Sequence, residues 1–148
     1  MNTKTAKDLM QACQLAREIT RLQPALPPGM TPLSIRMLEA IDDLSKQQEE
    51  VRGRDLSRLL HLSPPAVART IKEMEKAGAV RKAASQKDQR GICFYLTEQG
   101  KNWLQYYVTD YYVHLSQVLH SIDEKDAQTA VQVIQVLYQA MKGDRYNE

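Results

Sequence analysis

Hydrophobic residues recur along this chain mostly with the spacing of amphipathic helices, and one short region alternates like a pair of strands. Segments rich in Pro, Gly or polar residues separate these elements. The pattern predicts six helices at about 4–22, 32–44, 54–61, 64–77, 97–119 and 123–142, and two strands at about 79–83 and 91–96. The predicted fold class is therefore mainly α with one small β-hairpin.

Local capping signals support the predicted helix ends. Thr31 and Ser63 each precede proline, which is typical of a helix start, because the hydroxyl accepts an unpaired amide proton and proline has none to satisfy. Gly78 lies where a left-handed residue is expected to end the fourth helix. Thr97 is the predicted N-cap of the fifth helix, whose apolar residues repeat at spacings of four and three.

The third and fourth helices form a helix-turn-helix pattern. The third is predicted to bury three leucines, which are Leu56, Leu59 and Leu60. The fourth has an apolar stripe at i, i+4 and i+7 that should be buried, formed by Val67, Ile71 and Met74. Its opposite face carries one proline and three cations, which are Pro65, Arg69, Lys72 and Lys76.

Positive charge is concentrated around this pattern. Of the 20 Lys and Arg residues in the chain, 10 lie between Val51 and Arg90, against only four acids, so this segment is net +6 while the whole chain is +2. Clustered cations on a helix-turn-helix pattern are typical of a surface that binds double-stranded DNA.

Candidate DNA-contacting residues follow from this placement. An α-helix fits the major groove and Arg can bond bidentately to guanine, so Arg69 is the candidate for reading a base, with Lys72 and Lys76 on phosphate. Four further residues near the start of the fourth helix and on its surface complete this set, which are Ser63, Pro65, Ala66 and Thr70. The alternative interpretation is an ordinary solvated helix face.

The loop between the two strands is a second candidate contact. It contains Lys87, Asp88 and Arg90, and an arginine on such a loop can enter a narrow minor groove. We expect the Asp88 carboxylate to hold the Arg90 guanidinium in one rotamer. The alternative is an ordinary turn with a weak surface ion pair.

Composition narrows the class of protein. A length of 148 residues is typical of one domain, and no run of 18 apolar residues predicts a membrane span. The polar N-terminus lacks the apolar middle of a signal peptide, so a cytoplasmic protein with two reduced thiols, Cys13 and Cys93, is expected. No nucleophile–base pair, metal cluster or phosphate-binding loop is evident, which predicts a protein that is not an enzyme and needs no cofactor.

Several of these motifs resemble the MarR (multiple antibiotic resistance regulator) family of winged-helix regulators. The resembling motifs are Asp88-x-Arg90, Leu96-Thr97-x-x-Gly100, Leu56-Ser57 with Leu62-Ser63, and Met74-Glu75-Lys76-x-Gly78-x-Val80. The resemblance implies one domain over residues 1–148, with a winged helix-turn-helix lobe at 31–96 and dimerisation helices within 1–30 and 97–148. It also implies a homodimer on a pseudo-palindromic operator, usually a repressor relieved by a small-molecule effector.

The sequence departs from the family pattern at two helix starts. Pro64-Pro65 begins the recognition helix, and Arg52-Gly53 replaces the usual Ser or Thr cap of the third helix. Arg52 and Arg54 should then add cations that face phosphate. Cys13 lies where one family branch carries a reactive thiol, so a thiol-based redox sensor is one alternative. A winged-helix module that binds protein is another, and weak salt dependence of binding would distinguish it from a DNA-binding protein.

Overall fold

The computed structural model describes residues 1–144, which form six helices and one antiparallel pair of strands. The first four helices are α1 (Thr3–Arg21), α2 (Pro32–Gln47), α3 (Gly53–Leu60) and α4 (Pro64–Lys76). The strands β1 (Val80–Ala84) and β2 (Ile92–Leu96) follow. Helix α5 comprises α-helical Glu98–Leu104, a π-helical turn Gln105–Asp110 and α-helical Tyr111–Val118, and helix α6 is Glu124–Gly143. The predicted fold class is confirmed.

The backbone forms two compact units, one from Met1 to Val108 and one that begins at Thr109. The first unit contains a core built from α2, α3, α4, the strands and the segments beside them. Its buried residues are Met30, Met37, Leu38, Ala40, Ile41, Val51, Leu56, Val67, Ile71, Met74, Ala79 and Val80. The last four residues of the predicted dimerisation segment 97–148 lie outside the described residues.

The predicted caps are confirmed by their hydrogen bonds. Thr31 Oγ1 accepts from the Ser34 amide at 3.2 Å, and Ser34 Oγ accepts in return from the Thr31 amide at 3.1 Å. Thr97 Oγ1 accepts from the amide three residues later at 3.0 Å. Gly78 has a φ of +81°, the left-handed conformation that the end of α4 requires. Local sequence thus sets where these helices begin and end.

Helices α3 and α4 form the predicted helix-turn-helix. His61 turns the chain between them in the left-handed conformation, with a φ of +52°, and the Ser57 hydroxyl donates to the Leu62 carbonyl across the turn. The prediction that Leu59 is buried was wrong, since its side chain is 50% exposed. The reason is that α3 buries one narrow stripe, through Leu56 and part of Leu60.

The strands pair in a simple register from Val80 opposite Leu96 to Ala84 opposite Ile92. The segment before α3, which lies between two predicted helices and was assigned no strand, also joins this hairpin. The Phe94 amide donates to the Val51 carbonyl at 2.9 Å, and Arg52 forms a bridge with Cys93. The backbone beside the start of α3 is therefore tied directly to β2.

A close backbone approach explains the Leu96-Thr97-x-x-Gly100 motif. The Thr97 amide donates to the Ala79 carbonyl at 3.1 Å, and its hydroxyl donates to the Gly78 carbonyl. A Cβ on Gly100 would lie only 2.1 Å from the Ala79 carbonyl oxygen. Since backbone atoms cannot move aside as a flexible side chain can, the first turn of α5 needs glycine at this position.

Replacing Gly100 by alanine should therefore destabilise the protein by about 3 kcal/mol, the upper part of the range for overpacking. Urea unfolding followed by circular dichroism measures this change. The matched control is Gly143→Ala, because no atom of residues 1–144 beyond the adjoining helix backbone lies within 4 Å of the added Cβ. Equal stability of both variants would show that α5 does not approach Ala79 this closely.

Candidate nucleic-acid interface

The start of α4 is exposed and defined by its cap. Ser63 Oγ accepts from the Ala66 amide at 3.3 Å, and Pro64 and Pro65 fill the first turn, where an amide proton would have no helical partner. Ser63 and Pro65 are exposed, and Ala66 is partly buried. The Ser63 hydroxyl oxygen therefore caps α4, and the two prolines have no amide proton that would need a partner in this turn.

The two faces of α4 divide as predicted. Val67, Ile71 and Met74 are buried in the core of the first unit. Arg69 and Lys72 are exposed, and neither has an ion-pair partner among residues 1–144. We call the exposed side chains Arg69, Lys72 and Lys76 the basic face of α4. Because Arg69 and Lys72 have no such partner, these two cations can bind an anionic partner without first breaking an internal ion pair.

The remaining polar side chains of α4 are less available. Lys76 Nζ lies 3.3 Å from Glu73 Oε1, an exposed pair that costs little to break. The Thr70 hydroxyl donates to the Ala66 carbonyl at 2.9 Å and is partly buried. Thr70 therefore uses its only proton within the helix, which leaves Arg69 as the side chain on α4 best able to donate to a base edge.

The loop between the strands, residues 85–91, is here called the wing tip. It exposes Lys87, Asp88 and Arg90 together. Lys87 Nζ lies 3.2 Å from Glu49 Oε2, and both side chains are largely exposed. The Arg90 guanidinium has no ion-pair partner within residues 1–144, so its full charge is presented to solvent.

The expectation that Asp88 orders the Arg90 guanidinium was wrong. Asp88 Oδ1 accepts from the Arg90 backbone amide at 3.1 Å, and Asp88 Oδ2 lies 3.6 Å from Nη1 of Arg52. The acid thus shapes the turn and pairs with a cation on another segment. This arrangement neutralises an acid that would otherwise repel phosphate, and it leaves the Arg90 side chain free.

The two arginines beside α3 differ from each other. Arg54 is exposed, as expected of a cation that faces phosphate. Arg52 does not face outward, since its side chain is only 18% exposed and its Nη2 lies 3.2 Å from Glu50 Oε2. Its amide donates to Asp55 Oδ2 at 2.9 Å, which starts the helix without a Ser or Thr cap. The expectation of a phosphate-facing Arg52 is corrected, because an internal acid holds the guanidinium.

Two residues central to this region were missed by sequence reasoning, Glu50 and Ser85. The Ser85 hydroxyl donates to Glu50 Oε2 at 2.6 Å, and the Gln86 amide donates to Glu50 Oε1 at 2.8 Å. The Ser85 hydroxyl, followed by the Gln86 amide and Arg52, lowers the pKa of Glu50 to about 2 against the opposing effect of burial. Burial, and then Glu50, raises the pKa of the Cys93 thiol, which is fully buried beside them.

The other candidate chemistry is sparse. Cys13 is partly buried on α1. Within the described residues, no group of three or more His, Cys, Asp and Glu side chains is placed to hold a metal ion. No helix between residues 1 and 144 is long and apolar enough to cross a membrane.

The first unit contains one further feature, a cavity of about 230 Å³ whose lining includes Ile41, Val51, Phe94 and Lys101.

Comparison with known families identifies the segment that carries these features. Residues 29–91 match the sequence profile of the MarR family, a range that begins three residues before α2 and ends with the wing tip. No curated protein sequence matches the chain significantly.

Solved structures share the fold along nearly the whole chain. The MarR family transcription regulator SP03579 superposes with a TM-score of 0.68 at 18% identity, covering 95% of this chain and 94% of that chain. The heme sensor protein PefR from Streptococcus agalactiae, in complex with heme, superposes with a TM-score of 0.59 at 22% identity, covering 100% of both chains. A mutant of MepR from S. aureus, bound to an oligodeoxyribonucleotide, superposes with a TM-score of 0.56 at 12% identity, covering 95% of this chain and 99% of that chain. At these identities the likeness establishes the winged-helix fold alone.

Glu50 should give the folded chain a specific pH dependence. Its pKa is about 2 in the folded chain and ordinarily 4.5, so its stabilising contribution is complete above about pH 4.5 and is lost as the pH falls towards 2. We expect the difference in Tm between wild type and Glu50→Gln to be largest near neutral pH and to shrink in this acidic range. Thermal unfolding from about pH 2.5 to 7 measures it. A difference that stays constant with pH would contradict the assignment.

Proposed function

We propose that this chain, a member of the MarR family by its segment 29–91 and its fold, is a dimeric, sequence-specific regulator of transcription that binds double-stranded DNA. The observation that carries the proposal is the basic face of α4 on a helix-turn-helix, where Arg69 and Lys72 have no ion-pair partner within residues 1–144. An exposed helix with unpaired cations fits the major groove of B-DNA in width and in charge.

Each predicted contact has a distinct role in this proposal. Arg69 donates to a base edge, where a bidentate bond to guanine is the geometry that arginine favours. Lys72 and Lys76 meet phosphate, as does Arg54 beside α3. Arg90 on the wing tip enters the adjacent minor groove, where its unpaired guanidinium meets the strongest negative potential.

Exposed apolar surface supports the dimeric state. On α1 and just after it, Leu15, Ile19 and Leu22 are 65%, 58% and 84% exposed. On α6, Val136 and Tyr138 are 69% and 62% exposed, and the helix has no buried residue. Apolar surface of this extent on a monomer is typical of an interface, and a second copy would bury it. Two copies would place two α4 helices in successive major grooves, about 34 Å apart on a pseudo-palindrome.

The regulatory direction is proposed by analogy with structural relatives, one of which is the adhesin competence repressor AdcR from Streptococcus pyogenes. The structural relatives include the heme sensor PefR in complex with heme and the PcaV regulator from Streptomyces coelicolor in complex with its natural ligand. We propose by analogy a cytoplasmic repressor whose DNA binding is relieved by a small-molecule effector. An effector that binds the DNA-free form more tightly would shift the population away from the operator.

Replacing Arg69 or Arg90 by alanine should weaken binding to the preferred DNA sequence by about 1–3 kcal/mol, or roughly 5- to 150-fold, without unfolding the protein. Arg69→Ala should also relax the preference at one base pair in each half-site, since it removes a base contact. Fluorescence anisotropy with labelled duplexes measures both effects.

The matched control is Arg36→Ala, which removes an exposed arginine of α2 outside α4 and the wing tip. Its affinity should stay close to that of wild type. If Arg69→Ala and Arg90→Ala both bind as tightly as this control, the assigned interface is wrong.

A further inference from the structure

Glu50 joins two segments that are distant in sequence, the stretch before α3 and the wing tip. One carboxylate oxygen accepts from the Ser85 hydroxyl at 2.6 Å and lies 3.2 Å from Arg52 Nη2, and the other accepts from the Gln86 amide at 2.8 Å. The Glu50 and Arg52 side chains are only 11% and 18% exposed. Both oxygens of this acid are thus occupied by donors, two of which belong to the wing tip.

Ser85 connects Glu50 to the backbone of the wing tip. Its hydroxyl oxygen accepts from Arg52 Nη2 at 2.7 Å and from the Lys87 and Asp88 amides at 3.1 Å each. Its own amide donates to the Gly91 carbonyl at 2.8 Å, which closes the loop at its base. Ser85 is 6% exposed although the loop around it is exposed. This one hydroxyl therefore ties Glu50 and Arg52 to two backbone amides of the wing tip.

Arg52 links the same cluster to Asp88 and, through Asp88, to the backbone of Arg90. Its Nη1 lies 3.6 Å from Asp88 Oδ2, and the same carboxylate holds the Arg90 amide through its other oxygen. The guanidinium also lies against Gly91, where an added Cβ would be 3.1 Å from Arg52 Cζ and 3.1 Å from Ser85 Cβ. A chain of contacts thus runs from Glu50 through Arg52 and Asp88 to the backbone of Arg90.

We propose that Glu50 and Arg52 are positioning residues that fix the wing tip so that Arg90 is presented to the minor groove in one orientation. This inference rests on the DNA-binding function proposed above. In it, Glu50 and Arg52 set the geometry of the wing tip without themselves contacting DNA. Preorganisation lowers the conformational entropy lost on binding, so it strengthens the contact that Arg90 makes. The same cluster accounts for the inward orientation of Arg52.

Two adjacent glutamates allow a sharp test. Glu50→Gln keeps the side-chain size but replaces one acceptor oxygen by a donor, which disrupts the bonds from Ser85 or Gln86. Glu49→Gln is the matched control, since the Glu49 side chain is 82% exposed and, within residues 1–144, pairs only with the exposed Lys87. Both variants remove one negative charge near the proposed DNA surface. Electrostatics alone would therefore make both bind DNA equally well or more tightly than wild type.

We expect Glu50→Gln to bind the duplex that wild type selects from a random-sequence pool about tenfold more weakly, because the variant loses hydrogen bonds to a charged carboxylate that order the wing tip. Glu49→Gln should match wild type or bind more tightly. In an Arg90→Ala background the loss from Glu50→Gln should disappear, because it acts through Arg90. A purely structural role would give the same loss in both backgrounds.

Equal or tighter binding by Glu50→Gln, or an undiminished loss in the Arg90→Ala background, would overturn the inference. If Glu50→Gln does not fold, as judged by thermal unfolding, Ser85→Ala removes only the hydroxyl and is held to the same two criteria. Failure of the wild-type protein to select any sequence would instead contradict the proposed function. The two failures are therefore distinguishable.

Discussion

Burial of the apolar stripe on α4 is the constraint on which the proposed interface depends. Val67, Ile71 and Met74 are each at most 2% exposed, and burying such side chains stabilises the folded chain by about 1.5–3 kcal/mol each. Rotating α4 about its axis would lose this contribution. The helix therefore has one permitted orientation, in which Arg69 and Lys72 face outward. The packing that stabilises the lobe thus also determines which side chains are exposed to another molecule.

Features that depend on neighbouring residues could be predicted from the sequence. The caps at Thr31, Ser63 and Thr97, the left-handed Gly78 and the buried stripe of α4 were all predicted and are confirmed. These features are local, since a cap involves residues three apart and a stripe follows the helical period. The exposed basic face follows from the same period. Its contacts with DNA stay predictions, since they concern a partner molecule.

Features that depend on distant pairing could not be predicted. Glu50 bonds to Ser85, 35 residues later in the chain, and Arg52 pairs with Asp88, 36 residues later. Glu50 lay in what the sequence presents as a polar linker, and nothing in its neighbourhood indicates a partner. The sequence placed Asp88 next to Arg90 and suggested a pair between them. The fold brings a better-placed guanidinium to that carboxylate, so the local interpretation was wrong while the exposure of Arg90 was expected.

Selection of bound sequences from a random duplex pool by the purified protein tests the central claim most directly. A symmetric pair of α4 helices predicts enrichment of an inverted repeat whose half-sites are centred about one helical turn, or roughly 10 base pairs, apart. Binding to that sequence should fall steeply with added salt if the cations on α4 and the wing tip meet phosphate as proposed, because each such contact displaces counterions. Recovery of a pool with no enriched sequence would contradict the account.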